Sequence, residues 1–141
     1  MDKELISLRI DEIIKHIDFV TEDLKEISLE NFNGNSLLAR GTAFSLEQIC
    51  DHVSKLRKTF EQSHQEIPWD KIYDMRIVLA HMYVTVDCKI VYNTVKNDLP
   101  KLKEQMLAIK NSLNWPNKNE SCTLQTRFSF ISYFFYLPTL Q

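Results

Sequence analysis

The chain has 141 residues and a formal net charge of −2, enough to close one hydrophobic core and too few for two. That charge excludes binding to nucleic acid through bulk positive potential, so any RNA or DNA activity must come from a local site. Cys50, Cys88 and Cys122 are far apart and form no C-x-x-C pair, which argues against a disulfide framework or zinc knuckle and predicts a reducing, cytoplasmic compartment. The N-terminus opens on Asp2, Lys3 and Glu4 with no signal-type apolar run, and no stretch has the apolar length of a spanning helix. Two glycines and four prolines leave few breakers, so an all-α fold is predicted.

The first helix is predicted from Lys3 to Ile27, because Ile6, Ile10, Ile13, Ile14, Ile17 and Leu24 recur at three- and four-residue spacing between charged positions. His16 lies among those charges and reads as a solvated or core-edge histidine. Ser28 is placed to cap a short turn through Leu29 and Phe32, which Asn33-Gly34-Asn35 ends. A second helix is predicted from Ser36 to Phe60, with Leu38, Thr42, Leu46, Ile49, Val53, Leu56 and Phe60 in a near-heptad seam. Gly41, Ala43 and Ser45 would allow a neighbouring backbone to come close. Lys55, Arg57 and Lys58 suit the negative end of this helix, and His52 reads as part of a solvated face.

Ile67-Pro68-Trp69 reads as a third helix start, since proline at the first helical position has no N–H to leave unpaired. Trp69, Ile72, Met75, Leu79 and Met82 mark its buried stripe, with Arg76 and Tyr83 at the border. The β-branched run Val84-Thr85-Val86 disfavours continuation, so this helix is predicted to end at or just after His81, and Asp87 to cap the next. That fourth helix, Cys88 to Leu113, turns Val91, Val95, Leu99, Leu102, Met106, Ile109 and Leu113 inward, with Pro100 expected to kink it or start a new segment. The four stripes with short connections predict an up-and-down bundle of four to five helices over residues 1–113. Residues 114–141 form a polar linker and an aromatic-rich tail, whose run Phe128 to Leu137 is too short to span a membrane.

Arg76, His81 and Tyr83 spell R-x-x-x-x-H-x-Y within the third stripe. A border arginine, a helix-end histidine and a border tyrosine are each commonplace alone. Arg76 and Tyr83 lie within roughly 20° of one another on a helix, whereas His81 lies roughly 140° from Arg76. The two can meet one ligand if the helix ends near His81 or if a second chain supplies one of them.

The longer pattern Ile67-Pro68-Trp69, Met75-Arg76, Val78-Leu79-Ala80-His81, Tyr83, Val86-Asp87, and Val95 to Pro100 with Leu102-Lys103 resembles the HepT-like branch of the HEPN superfamily. The resemblance covers residues 1–113 and not the tail. It implies a homodimeric, all-helical, metal-independent RNase toxin that uses no cofactor and is encoded beside a minimal nucleotidyltransferase antitoxin. It further implies that Arg76 and His81 are the catalytic pair at a dimer cleft, acting on RNA, and that the antitoxin transfers AMP to Tyr83. Ile77 and Met82 depart from the family, which often has a polar residue after the arginine and an acidic one after the histidine. Those departures keep open a non-catalytic module serving a nucleotidyltransferase. A plain helical interaction protein is the third reading.

Overall fold

The structure, a computed structural model, describes residues 1–80 and 87–113. Among them every regular element is helical: α1 (Lys3–Asp23), α2 (Leu29–Gly34), α3 (Ser36–Phe60), α4 (Trp69–Ala80), α5 (Cys88–Asn93) and α6 (Leu99–Ser112), with a π-helical turn at Thr94–Asp98 between the last two. This is the all-α bundle that the sequence predicts.

Four of the helices, α1, α2, α3 and α5, start where a side chain takes an orphan N–H. Asp2 accepts from Glu4, Ser28 from Asn31, Asn35 from Leu38, and Asp87 from Lys89 and Ile90. α3 has the predicted bounds. α1 does not: it ends at Asp23, four residues before the predicted Ile27. The chain leaves the helix there in tight turns, Lys25 N–H to the Glu22 carbonyl and Ile27 N–H to the Leu24 carbonyl. Two side chains from the far end of the sequence hold that exit. Tyr92 Oη donates to the Ile27 carbonyl at 2.8 Å, and Lys96 Nζ donates to the Leu24 carbonyl at 2.5 Å.

The helix predicted from Cys88 onward is two helices joined by one wide turn. Pro100 cannot donate to the carbonyl four residues back, and the chain widens before it, so that Leu99 N–H bonds the Thr94 carbonyl instead. Val91, Val95, Leu99, Leu102, Met106 and Ile109 nevertheless stay buried on one side. They join Ile6, Ile10, Ile13 and Ile17 of α1 and the α3 seam in one core.

Ion pairs give the sense of the packing. Lys103 meets Asp18 and Lys110 meets Asp11, so α6 runs antiparallel to α1. Arg57 meets Asp70 and Arg76 meets Asp51, so α4 runs antiparallel to α3. Among the described residues α3 is the one helix that α4 packs against. Gly41 is exposed, and a Cβ there would meet nothing within 4 Å, so the small residues of α3 do not mark a close helix approach at that point. No described helix is long and apolar enough to cross a membrane. The predicted tail, 114–141, and the segment 81–86 lie outside the described residues.

Candidate active site

Arg76 sits in the last turns of α4. The buried faces of Trp69 and Leu79, with Ile72 and Met75 partly buried beside them, fix which side of the helix meets α3. That phase puts Arg76 at the border, its side chain 43% exposed, as the sequence predicts. The start of α4 is held by Trp69, whose Nε1 donates to the His64 carbonyl at 2.9 Å, and by Arg57, which donates to Asp70 at 2.7 Å.

Asp51 on the neighbouring α3 takes Arg76 Nη2 on Oδ1 at 3.1 Å and Lys55 Nζ on Oδ2. Burial alone would push the Asp51 carboxyl up. The Lys55 hydrogen bond and the positive charges of Lys55 and Arg76 outweigh it and hold Asp51 below the usual carboxylate range. Asp51 is therefore ionised at neutral pH.

His52 faces the other way, toward α1, where Arg9 Nη1 donates to its Nδ1 at 3.5 Å. The solvated histidine expected at this position is thus half-buried and paired. Burial first, then the charges of Arg9 and Lys55, lower its pKa, so its ring is neutral at pH 7. Two of the three basic residues read as complements to the α3 dipole are instead in ion pairs, Lys55 with Asp51 and Arg57 with Glu61 and Asp70. Cys50, one residue before Asp51, is no nucleophile. Burial pushes its thiol up to about 12, against a smaller opposing effect of Arg76.

His81 and Tyr83, the other two predicted site residues, lie outside the described residues, and so does Met82. His81 directly follows Ala80, where described α4 stops. Asp51 is the site residue that sequence reasoning missed. Its signal was faint: an acid on the border of the α3 seam with Lys55 four residues on.

The family model described as ribonuclease HepT-like matches residues 10–109. The chain belongs to the HepT-like ribonuclease family. A candidate RNase of Caldanaerobacter subterraneus subsp. tengcongensis is 34% identical to this HepT-like chain over 100 residues, covering 71% of this chain and 89% of the relative. The probable ribonuclease HepT of Thermococcus cleftensis is 32% identical over 94 residues, covering 67% and 86%. A gamma-glutamylcyclotransferase and candidate RNase of Methanocaldococcus jannaschii is 29% identical over 114 residues, covering 81% of this chain and 51% of its own length. No solved structure matches. Ribonuclease activity is thus supported at the level of the family, and Arg76 falls inside the matched span.

Proposed function

We propose that this HepT-like protein is a metal-independent endoribonuclease toxin that works as a homodimer and is silenced by AMP transfer from a minimal nucleotidyltransferase partner. The observation that carries the reading is Arg76, held on the border of α4 by an ionised carboxylate, half exposed, and five residues before a histidine. In the cleavage step a base takes the 2′-hydroxyl proton and the 2′-oxygen attacks phosphorus. The 5′-oxygen leaves with a proton from an acid. Arg76 suits the extra charge on the phosphoryl oxygens, because its planar fork binds two of them and stays charged. His81 suits the proton transfers, since its unperturbed pKa is near neutrality.

One chain brings one motif histidine, and a twofold dimer brings two. Tyr73, Ile77 and Val78 leave large apolar side chains exposed on α4 beside Arg76, a surface that suits burial against a second copy. Control falls to Tyr83. Its phenolic oxygen takes the α-phosphorus of ATP and pyrophosphate leaves, which adds a phosphodiester charge and an adenosine near Arg76 and repels incoming RNA.

A non-catalytic module serving the same partner is the second reading, favoured by apolar Ile77 directly after the arginine. Two measurements separate them. Expression of the toxin alone should degrade cellular RNA and stop growth, and co-expression with the neighbouring nucleotidyltransferase should restore growth. Intact mass after incubation with that partner and ATP should show an AMP adduct on the wild type and none on Tyr83→Phe. Intact RNA with unimpaired growth would favour the second reading, and an unmodified wild type would remove the control step.

A further inference from the structure

We infer that Asp51 is the positioning residue for Arg76, and that Lys55 makes the pair usable by cancelling the charge of the carboxylate. The inference rests on the reading of Arg76 as a phosphate binder and adds two residues of α3 to it. An arginine at a helix border has a long, freely rotating side chain, and ordering it only when RNA arrives would cost affinity and rate. Asp51 has a short side chain, only 23% exposed, on the one helix against which α4 packs among the described residues. It takes Arg76 Nη2 on one oxygen and Lys55 Nζ on the other. Each oxygen therefore has its own cation, and neither cation has to leave for the other to stay.

One Nη2 contact occupies only part of a five-donor guanidinium, so the fork can meet a phosphate while Asp51 holds it. Charge decides whether that phosphate is attracted. Arg76 with Asp51 alone is a neutral pair, whose attraction for an anion falls off quickly. With Lys55 the group carries one net positive charge, and the phosphate meets a cation already aimed outward. Lys55 is 47% exposed and Arg76 43%, against 23% for Asp51, so the two cations lie toward solvent and the carboxylate behind them.

The test combines a readout on Arg76 itself with steady-state cleavage of a single-stranded oligoribonucleotide. The Arg76 Nε–Hε signal in a nitrogen-15 spectrum, assigned by its loss in Arg76→Lys, should be resolved and slow to exchange in the wild type. In Asp51→Asn it should collapse to the solvent-averaged position, and kcat should fall between about 10- and 100-fold. Asp51→Glu should recover most of both. Lys55→Ala should raise KM, leave kcat near the wild-type value and keep the Arg76 signal in place.

Should Asp51→Asn fail to fold, acidification of the wild type gives the same information. The Arg76 signal should persist below the ordinary carboxylate range and be lost as Asp51 protonates, with Lys55 and His52 on α3 and Arg9 on α1 as the other charged or titratable neighbours. A wild type that cleaves no RNA removes the reading of the previous subsection. An Arg76 signal indifferent to Asp51→Asn, or to acid, removes this inference whatever the cleavage assay shows, and an unchanged KM in Lys55→Ala removes the part assigned to Lys55.

Discussion

Arg57 on α3 places Nη2 2.7 Å from Oδ1 of Asp70, in the first turn of α4, while also holding Glu61 just past the end of its own helix. With Asp51 and Arg76 further along, it forms the second rung of a ladder between antiparallel helices. Among the described residues α4 packs on no helix but α3, so the two rungs fix how the motif helix lies. Arg57→Ala should therefore loosen the start of α4 more than the whole fold. Amide exchange at Lys71 to Tyr73 should quicken, while the melting temperature moves by no more than about 2 °C, as expected for an exposed pair. A collapse of the entire melt would show that the rung supports the core instead.

The core itself should respond by burial and not by side-chain size. Ile13 and Met106 are fully buried, and Leu8, on the same helix as Ile13, is 57% exposed. Truncating either buried residue to alanine should cost about 2–5 kcal/mol, through lost transfer energy plus the cavity left behind. Leu8→Ala should stay within about 0.5 kcal/mol of the wild type. Denaturant titration checks both, and a costly Leu8→Ala would reveal a partner covering that face.

Acid should destabilise the bundle through two kinds of group. His52 and His16 have pKa values lowered first by burial, so the unfolded chain binds their protons more readily than the folded one. Their neutral forms support the fold above the ordinary histidine value of 6.5, and stability falls as the pH drops below it. Asp51 has the depressed carboxylate case: its contribution is present above the unfolded carboxylate pKa and is lost as pH falls through the folded one. Thermal melts from pH 8 downward should show stability declining first near the histidine range and again in the carboxylate range. His52→Gln should flatten the first decline. A melting temperature that rises between pH 7 and 5.5 would contradict both histidine assignments.

Truncation after Leu113 should leave the bundle folded. The described core of Ile6 through Ile109 already joins α1, α3 and α6, and residues 114–141 carry a dense apolar run that offers surface for aggregation. The truncated chain should keep its helical circular dichroism and be more soluble. Loss of the helical signal would place the aromatics in the core.

Much of this architecture was legible because local chemistry and periodicity agreed. Ser28 and Asp87 read as caps from their residue type and cap in fact, and the α3 seam from Thr42 to Phe60 is buried as its spacing predicts. The α1 end was not legible, because Tyr92 and Lys96 hold it from about 70 residues away in sequence, and no periodicity in α1 encodes them. The π turn was half legible: Pro100 forecasts an interruption, but not that the turn before it widens. Arg76 was singled out from its motif, whereas its ion-pair partner Asp51 was not, since that pairing depends on the register in which α3 meets α4. His52 read as solvated because a helical wheel shows the face and not that Arg9 covers it.

The central claim is that Arg76 and His81 make this HepT-like chain a ribonuclease. It is tested most directly by incubating the purified protein with single-stranded RNA in the presence of EDTA, beside Arg76→Ala, Arg76→Lys and His81→Ala of verified fold. The account predicts cleavage by the wild type in EDTA, none by either alanine variant, and a marked loss in Arg76→Lys, where a point charge replaces a bidentate fork. Intact RNA with the wild type, or full activity in His81→Ala, would contradict it.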